Sequence, residues 1–190
     1  MARPRSEDKR NAILAAAIEV IAEQGISAPT ARIAKLAGVA EGTLFTYFSN
    51  KDELLNQLYL HLKDEMRDAM MASYPRAETL RNQSFHAWQS YVDWGSQHPL
   101  KRRVLAQLSM SERISDQSKE AGLQTFAEIN VRIKEGITQG LLRDYPPTFL
   151  SSILGSLADV SLDFMARDNA NADLYRKSGF EAFWNAIALR

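Results

Sequence analysis

Cysteine is absent from the 190 residues, which excludes disulfides, zinc-finger sites and thiol catalysis. Net charge is absent too: 23 Lys and Arg are balanced by 23 Asp and Glu, so composition offers none of the basic excess that neutralises phosphates. A local basic face remains open. No segment approaches about 18 consecutive apolar residues, so no membrane-crossing helix is expected. Met1 to Arg10 is charged where a secretory signal would be apolar, and the expected location is the cytoplasm. Strand-like alternation, repeats and low-complexity tracts are missing. So are G-x-S-x-G, a phosphate-cradling glycine loop and a paired-carboxylate signature. His61, His86 and His98 lie far apart and outside zinc-like spacings. No catalytic residue, metal site or cofactor is expected, and nothing recommends an enzyme.

What is present is helical periodicity. Ile13, Leu14, Ala17, Ile18 and Ile21 recur at three and four, with Glu19 and Glu23 left outside. Ser6 is a candidate N-cap and Gly25 a candidate stop, giving a first helix from Ser6 to Gln24. Short helices follow around Thr30–Ala37 and Glu41–Phe48. Ser49 or Asn50 then caps a fourth, about 51–73, which carries Leu54, Leu55, Leu58, Leu62 and Met66. Pro75 marks the boundary between two regions. Beyond it, helices are expected over Ala77–Gly95, from His98–Pro99 onward, over Gln117–Gln139, Thr148–Ala166 and Asn171–Leu189. The result is an all-α protein of about nine helices.

The stretch Thr30 to Phe48 carries the function. Two short helices crossing steeply need a tight turn, which Gly38 permits in a left-handed conformation. Ile33, Ala34, Ala37, Val39, Leu44 and Phe48 form the small core that fixes the crossing. Glu41, Gly42, Thr43, Thr46 and Tyr47 are left facing outward, short or able to hydrogen-bond, as suits a helix lying in a major groove. Gly42 lets the backbone approach phosphate, and Tyr47 offers a hydroxyl. Arg3, Arg5, Lys9 and Arg10 are either an arm reaching phosphates or a solvated tail. A helical hairpin with a glycine turn also occurs in proteins that never meet DNA, so the motif has to be judged through Leu55.

So small a reading head makes few contacts. A symmetric dimer, spanning half-sites about 34–36 Å apart on a near-palindromic duplex, supplies the rest. Leu150, Ile153, Leu157, Val160, Ser161 and Phe164 on the penultimate helix are candidates for its interface. Phe180, Phe183, Trp184 and Ile187 on the last helix are candidates too, and interior packing is the competing explanation for both sets.

Ala37-Gly38-Val39-Ala40-Glu41-Gly42-Thr43-Leu44-Phe45-Thr46-Tyr47-Phe48, followed by Asn50-Lys51-Asp52-Glu53-Leu54-Leu55, resembles the recognition helix and helix-four junction of the TetR family of repressors. Phe85, Trp88, Tyr91, Trp94-Gly95, Leu162-Asp163-Phe164 and Arg167-Asp168 resemble the RamR-type multidrug-sensing subgroup. The resemblance implies a helix-turn-helix DNA-binding domain over 1–53 and an effector-binding and dimerisation domain over 54–190, joined by helix four. It implies an operator-binding surface from Thr30, Arg32, Glu41, Gly42, Thr43, Thr46 and Tyr47, with Lys51 on a phosphate. Pro29 stands where relatives often have a capping hydroxyl, which proline, though suited to the start of a helix, cannot supply, and Thr46 stands where they often have a longer polar side chain. Direct base readout is therefore expected to be sparse.

The same resemblance implies an effector cavity. Tyr59, Leu62, Lys63 and Met66 would contribute from helix four, and Phe85, Trp88 and Tyr91 from helix five. Phe126, Ile129 and Asn130, then Leu154, would complete it. An aromatic stripe is more often core than ligand box, but aromatic walls also bind flat, apolar or amphipathic molecules, cationic ones where an acid lies nearby. The function expected is a ligand-released transcriptional repressor. Its alternatives are a DNA-binding dimer regulated without a small molecule, or a carrier that has lost DNA binding.

Overall fold

The computed structural model describes residues 3–189, with side chains from Glu7 onward. Ten α-helices occur in it: α1 (Arg3–Gln24), α2 (Thr30–Leu36), α3 (Glu41–Tyr47), α4 (Lys51–Met71), α5 (Leu80–Gln97), α6 (Pro99–Ser109), α7 (Asp116–Gln124), α8 (Ala127–Thr138), α9 (Pro147–Arg167) and α10 (Ala172–Ile187). A 3-10 turn at Asn169–Asn171 precedes α10, and one antiparallel bridge joins Leu142 to Ala188.

Ten helices replace about nine because the stretch expected as one helix, Gln117–Gln139, is two. Phe126 leaves helical geometry at φ −102° and ψ 31°, and the Asn130 side chain donates to the Leu123 carbonyl at 2.9 Å. A side-chain amide thus takes an acceptor near the break, which periodicity cannot register. The first helix also begins earlier than expected, at Arg3, so Ser6 lies inside it rather than capping it.

Packing groups the chain into two compact units, residues up to Lys63 with His98–Gly122, and Asp64–Gln97 with the residues from Leu123 on. The first unit is centred on α1, whose Ile13, Leu14, Ala17, Ile18 and Ile21 are all buried. Val104, Leu105 and Leu108 of α6 are buried too, and α6 packs on α1. Linear punctuation at Pro75 does not reveal that return of the chain.

In the second unit, α9 and α10 form the principal helix pair, with α5 against both. Gly179 makes the crossing close: a Cβ there would meet Ser161 Oγ and would lie 2.7 Å from Trp88 Cζ2. Trp88 is fully buried, donates its indole N–H to the Arg176 carbonyl at 3.0 Å, and stacks on Phe183 at 5.9 Å between ring centroids. Gln83, also fully buried, donates to the carbonyls of Pro75 at 3.2 Å and Arg76 at 2.9 Å and accepts from Arg132 Nε at 2.9 Å. With its amide satisfied, a polar residue in the core carries no penalty for an unmade bond. Among the described residues, α9 is long and apolar enough by length and composition to cross a membrane, although the sequence holds no unbroken apolar run of that length. Asp159 and Asp163 interrupt the apolar sequence of the helix, which packs on α10 and α5.

Candidate nucleic-acid interface

The turn between α2 and α3 is built as its glycine requires. Gly38 sits at φ +68°, Ala37 N–H donates to Ile33 O at 2.9 Å, and Val39 N–H donates to Ala34 O at 3.0 Å. Ile33, Ala34, Leu44 and Phe48 are buried, and Ala37 and Val39 are half-buried, so the expected miniature core is present. Pro29 stands just outside the helix as the cap of α2, extended at φ −66° and ψ 138°. It supplies no side-chain cap, and the hydroxyl next to it, on Thr30, donates instead to Glu41 Oε1 at 2.7 Å. That bond ties the first residue of α2 to the first residue of α3.

On α3, burial of Leu44 and Phe48 turns the opposite face outward. Glu41, Gly42, Phe45 and Thr46 are exposed, while Thr43 and Tyr47 are half-buried on one flank. Gly42 and Thr46 occupy the middle of that face, and the Thr46 hydroxyl donates to the Gly42 carbonyl at 3.1 Å. Phe45, 41 % exposed, is an addition to the expected surface. It stands about 100° round the helix from Leu44, and that periodicity, applied outward from the buried Leu44, would have found it.

Three cations of the head, Arg10, Arg32 and Lys51, are engaged within the fold. Arg32 Nη2 pairs with Glu23 Oε2 at 2.9 Å. Arg10 Nη2 donates to Gln57 Oε1 at 3.0 Å and its guanidinium lies over the Phe48 ring, so it is held by the fold; the side chains of Arg3 and Arg5 lie outside the described residues. Lys51 Nζ donates to the Ala28 carbonyl at 2.6 Å. Partial burial, reinforced by the Arg113 charge, lowers the Lys51 pKa, and Asp52 opposes the shift. The start of α4 is closed by Asn50 Oδ1, which accepts from Glu53 N–H at 2.8 Å. The Glu53 carboxylate in turn accepts from the Ser49 N–H at 2.7 Å and from its hydroxyl. Those bonds hold the Glu53 carboxyl below the usual range.

The effector candidates divide between the units. In the first, Tyr59 and Leu62 are buried, and the half-buried Lys63 places its ammonium 5.6 Å from the Tyr59 ring centroid. Burial lowers the Lys63 pKa to about 8 and raises that of Tyr59. Gly122 receives Tyr59 closely; a Cβ there would stand 2.9 Å from the Tyr59 hydroxyl. In the second, Met66, Trp88 and Tyr91 are buried, and Phe85, Phe126, Ile129, Asn130 and Leu154 are half-buried. Trp88 is a core residue there, with both its ring face and its N–H occupied by the protein.

Of the residues expected at a dimer interface, Ser161, Phe180, Phe183 and Ile187 are buried in the single chain and have no area to offer. Ser161 donates to the Leu157 carbonyl at 2.8 Å, and Phe180 packs edge-on against Phe85 at 4.8 Å. Val160 at 56 % and Phe164 at 46 % exposure are open, and Leu150, Ile153, Leu157 and Trp184 are half-buried. No group of three or more potential metal ligands occurs among the described residues.

A helix-turn-helix whose second helix keeps an exposed face is the arrangement by which a class of regulators reads the major groove. The profile described as bacterial regulatory proteins, tetR family, matches residues 13–58. The crystal structure of a TetR-family transcription regulator from Shewanella sp. PV-4 superposes with a TM-score of 0.86 at 30 % identity, over 96 % of this chain and 99 % of that one. The HTH-type transcriptional regulator YhgD of Bacillus subtilis is 27 % identical over 160 residues, 78 % of this chain and 80 % of that protein. FadR from Bacillus subtilis, solved in complex with stearoyl-CoA, shares the fold at 21 % identity and a TM-score of 0.68, over 91 % of this chain and 96 % of that one. The chain belongs to the TetR family of transcriptional regulators. Its relatives are regulators of transcription, not enzymes.

Proposed function

We propose that this regulator is a cytoplasmic, ligand-responsive repressor that binds a near-palindromic operator as a homodimer and is released by an amphipathic small molecule. The observation that carries the DNA reading is the exposed face of α3: Gly42 and Thr46 at its centre are short enough to let the backbone sit deep in a major groove. Residues 1–53 are assigned to DNA reading and 54–190 to effector binding and dimerisation, with α4 joining them. The dimer surface is assigned to the exposed side of α9, through Val160 and Phe164, with Leu150, Ile153 and Leu157 beside them.

Two features bear on the effector. Lys63, one of the effector candidates of the first unit, carries a partly desolvated ammonium beside the Tyr59 ring, and such a group repels a cation and attracts an anion. The FadR neighbour holds stearoyl-CoA, an amphipathic anion. An effector with an apolar body and an acidic end therefore fits better than the cationic drug class suggested by the multidrug-sensor resemblance. Commitment of Trp88 to the core weakens that class further.

The test uses the full chain. Duplexes are enriched from a random pool, and the winning duplex, fluorescently labelled, is titrated with stearoyl-CoA, a planar cationic dye and a neutral hydrocarbon alcohol. Enrichment of an inverted repeat and its release by the acyl-CoA are expected. Failure to enrich any duplex overturns the DNA reading, and release by the dye alone overturns the anionic effector.

A further inference from the structure

The segment between α6 and α7 is fastened to the base of α4 by one amide. Asn56 Oδ1 accepts from the Ser115 N–H at 2.9 Å and from its hydroxyl at 3.2 Å. Asn56 Nδ2 donates to the Arg113 carbonyl at 3.0 Å and to the Asp52 carbonyl, one turn back in α4, at 2.7 Å. Both ends of the amide are therefore committed, and no other side chain of this size donates and accepts in that fork. Next to it, Arg113 Nε pairs with Asp52 Oδ1 at 2.9 Å, and Ile114, 1 % exposed, anchors the same segment in the core. All of these residues lie in one compact unit.

What Asn56 holds is the part of α4 that fixes the reading head. Only Phe48, Ser49 and Asn50 separate α3 from α4. The cap formed by Asn50 and Glu53 makes that junction stiff, and Lys51 fastens the first turn to the loop ahead of α2 through the Ala28 carbonyl. The Arg113 charge reaches Lys51 as well, lowering its pKa. Polar contacts thus join loop 111–115 to the α4 base, and the α4 base to the α3–α4 junction and to the loop ahead of α2.

We propose that Asn56 is a positioning residue: by latching loop 111–115 to the first turns of α4, it sets the angle at which α3 is presented. The proposal rests on the dimeric, two-half-site reading above and adds the element that regulates it. A displacement of the α6–α7 segment reaches the DNA-reading helix through this amide. Removing the amide frees the head to pivot while α3 and its own face stay intact.

The expected signature is a change in spacing tolerance, which loss of stability alone does not produce. Full-length wild type, Asn56→Ala and Arg113→Ala are compared on the enriched duplex and on versions with the half-sites moved apart or together by single base pairs. Wild type should favour one spacing by about tenfold, the scale of ordinary coupling between sites. Asn56→Ala should flatten that preference to about threefold or less, with affinity for an isolated half-site unchanged. Arg113→Ala, an exposed ion-pair variant that leaves the core alone, should move the same way to a smaller extent and decides the matter if Asn56→Ala fails to fold. An unaltered spacing preference in a folded variant overturns the latch alone. A wild-type chain that enriches no two-half-site duplex overturns the regulator reading, and the latch with it.

Discussion

The ammonium of Lys51 donates to the backbone carbonyl of Ala28 at 2.6 Å, joining the first residue of α4 to the loop that enters α2. An ammonium has three donors, so this bond leaves capacity for a phosphate. Lys51→Met should therefore have two separable effects. Loss of the bond should lower the unfolding free energy by about 1 kcal/mol, given a half-buried donor. Loss of a phosphate contact should weaken binding to all duplexes alike and reduce the slope of log K against log salt by about one. Denaturant unfolding reads the first, and binding isotherms across a salt series read the second. An unchanged slope would reduce Lys51 to a fastening of the head.

Phe45 presents an aromatic edge beside Gly42 and Thr46 with no structural duty that its exposure reveals. Apolar side chains on a recognition helix read the thymine methyl group. Phe45→Ala should leave the thermal midpoint within about a degree, as for surface changes generally. It should lower affinity for the selected duplex by about tenfold and flatten preference at one base pair per half-site. Selection from the random pool with the variant measures both.

How far these features were legible in the sequence depends on whether they are local. The Gly38 turn and the Asn50–Glu53 cap are set by residues within a few positions of one another, the miniature core by the single stretch from Ile33 to Phe48, and spacing alone exposed them. The partnership of Thr30 with Glu41 depends on how α2 and α3 cross. Contacts between segments distant in the chain were hidden. Asn56 meets Ser115, and Trp88 meets Arg176, through packing that no periodicity encodes. The aromatic positions of α10 were ambiguous for a related reason: a buried helix is apolar whether it faces its own chain or a second copy, and burial of Phe180, Phe183 and Ile187 assigns them to the first.

The α9–α10 crossing gives a test of that interior. A methyl group at Gly179 would collide with Ser161 Oγ and approach Trp88 Cζ2 to 2.7 Å. Trp88 is enclosed on every side, so the helices must separate to admit it. Gly179→Ala should destabilise the chain by about 1–3 kcal/mol, the usual range for overpacking, against the small gain that alanine brings within a helix. Ser161→Ala should not rescue it, because the indole remains. Thermal unfolding of the single and double variants checks both statements.

Lys63 supplies the pH dependence. Burial lowers its folded-state pKa from 10.5 to about 8, so between those values the unfolded chain binds more protons than the folded one. Stability from this group therefore rises as pH climbs through that window, and the charged ammonium below pH 8 is a standing penalty. Lys63→Met should raise the thermal midpoint at pH 7 and abolish the rise between about pH 8 and 10.5. For an anionic effector the sign reverses. The ammonium attracts it only when protonated, so affinity for an acyl-CoA should be higher at pH 7 than at pH 9, and Lys63→Met should remove that difference. Calorimetry at the two pH values, with wild type and variant, measures it. Equal affinity at both pH values in the wild type would place the acidic end of the effector away from Lys63.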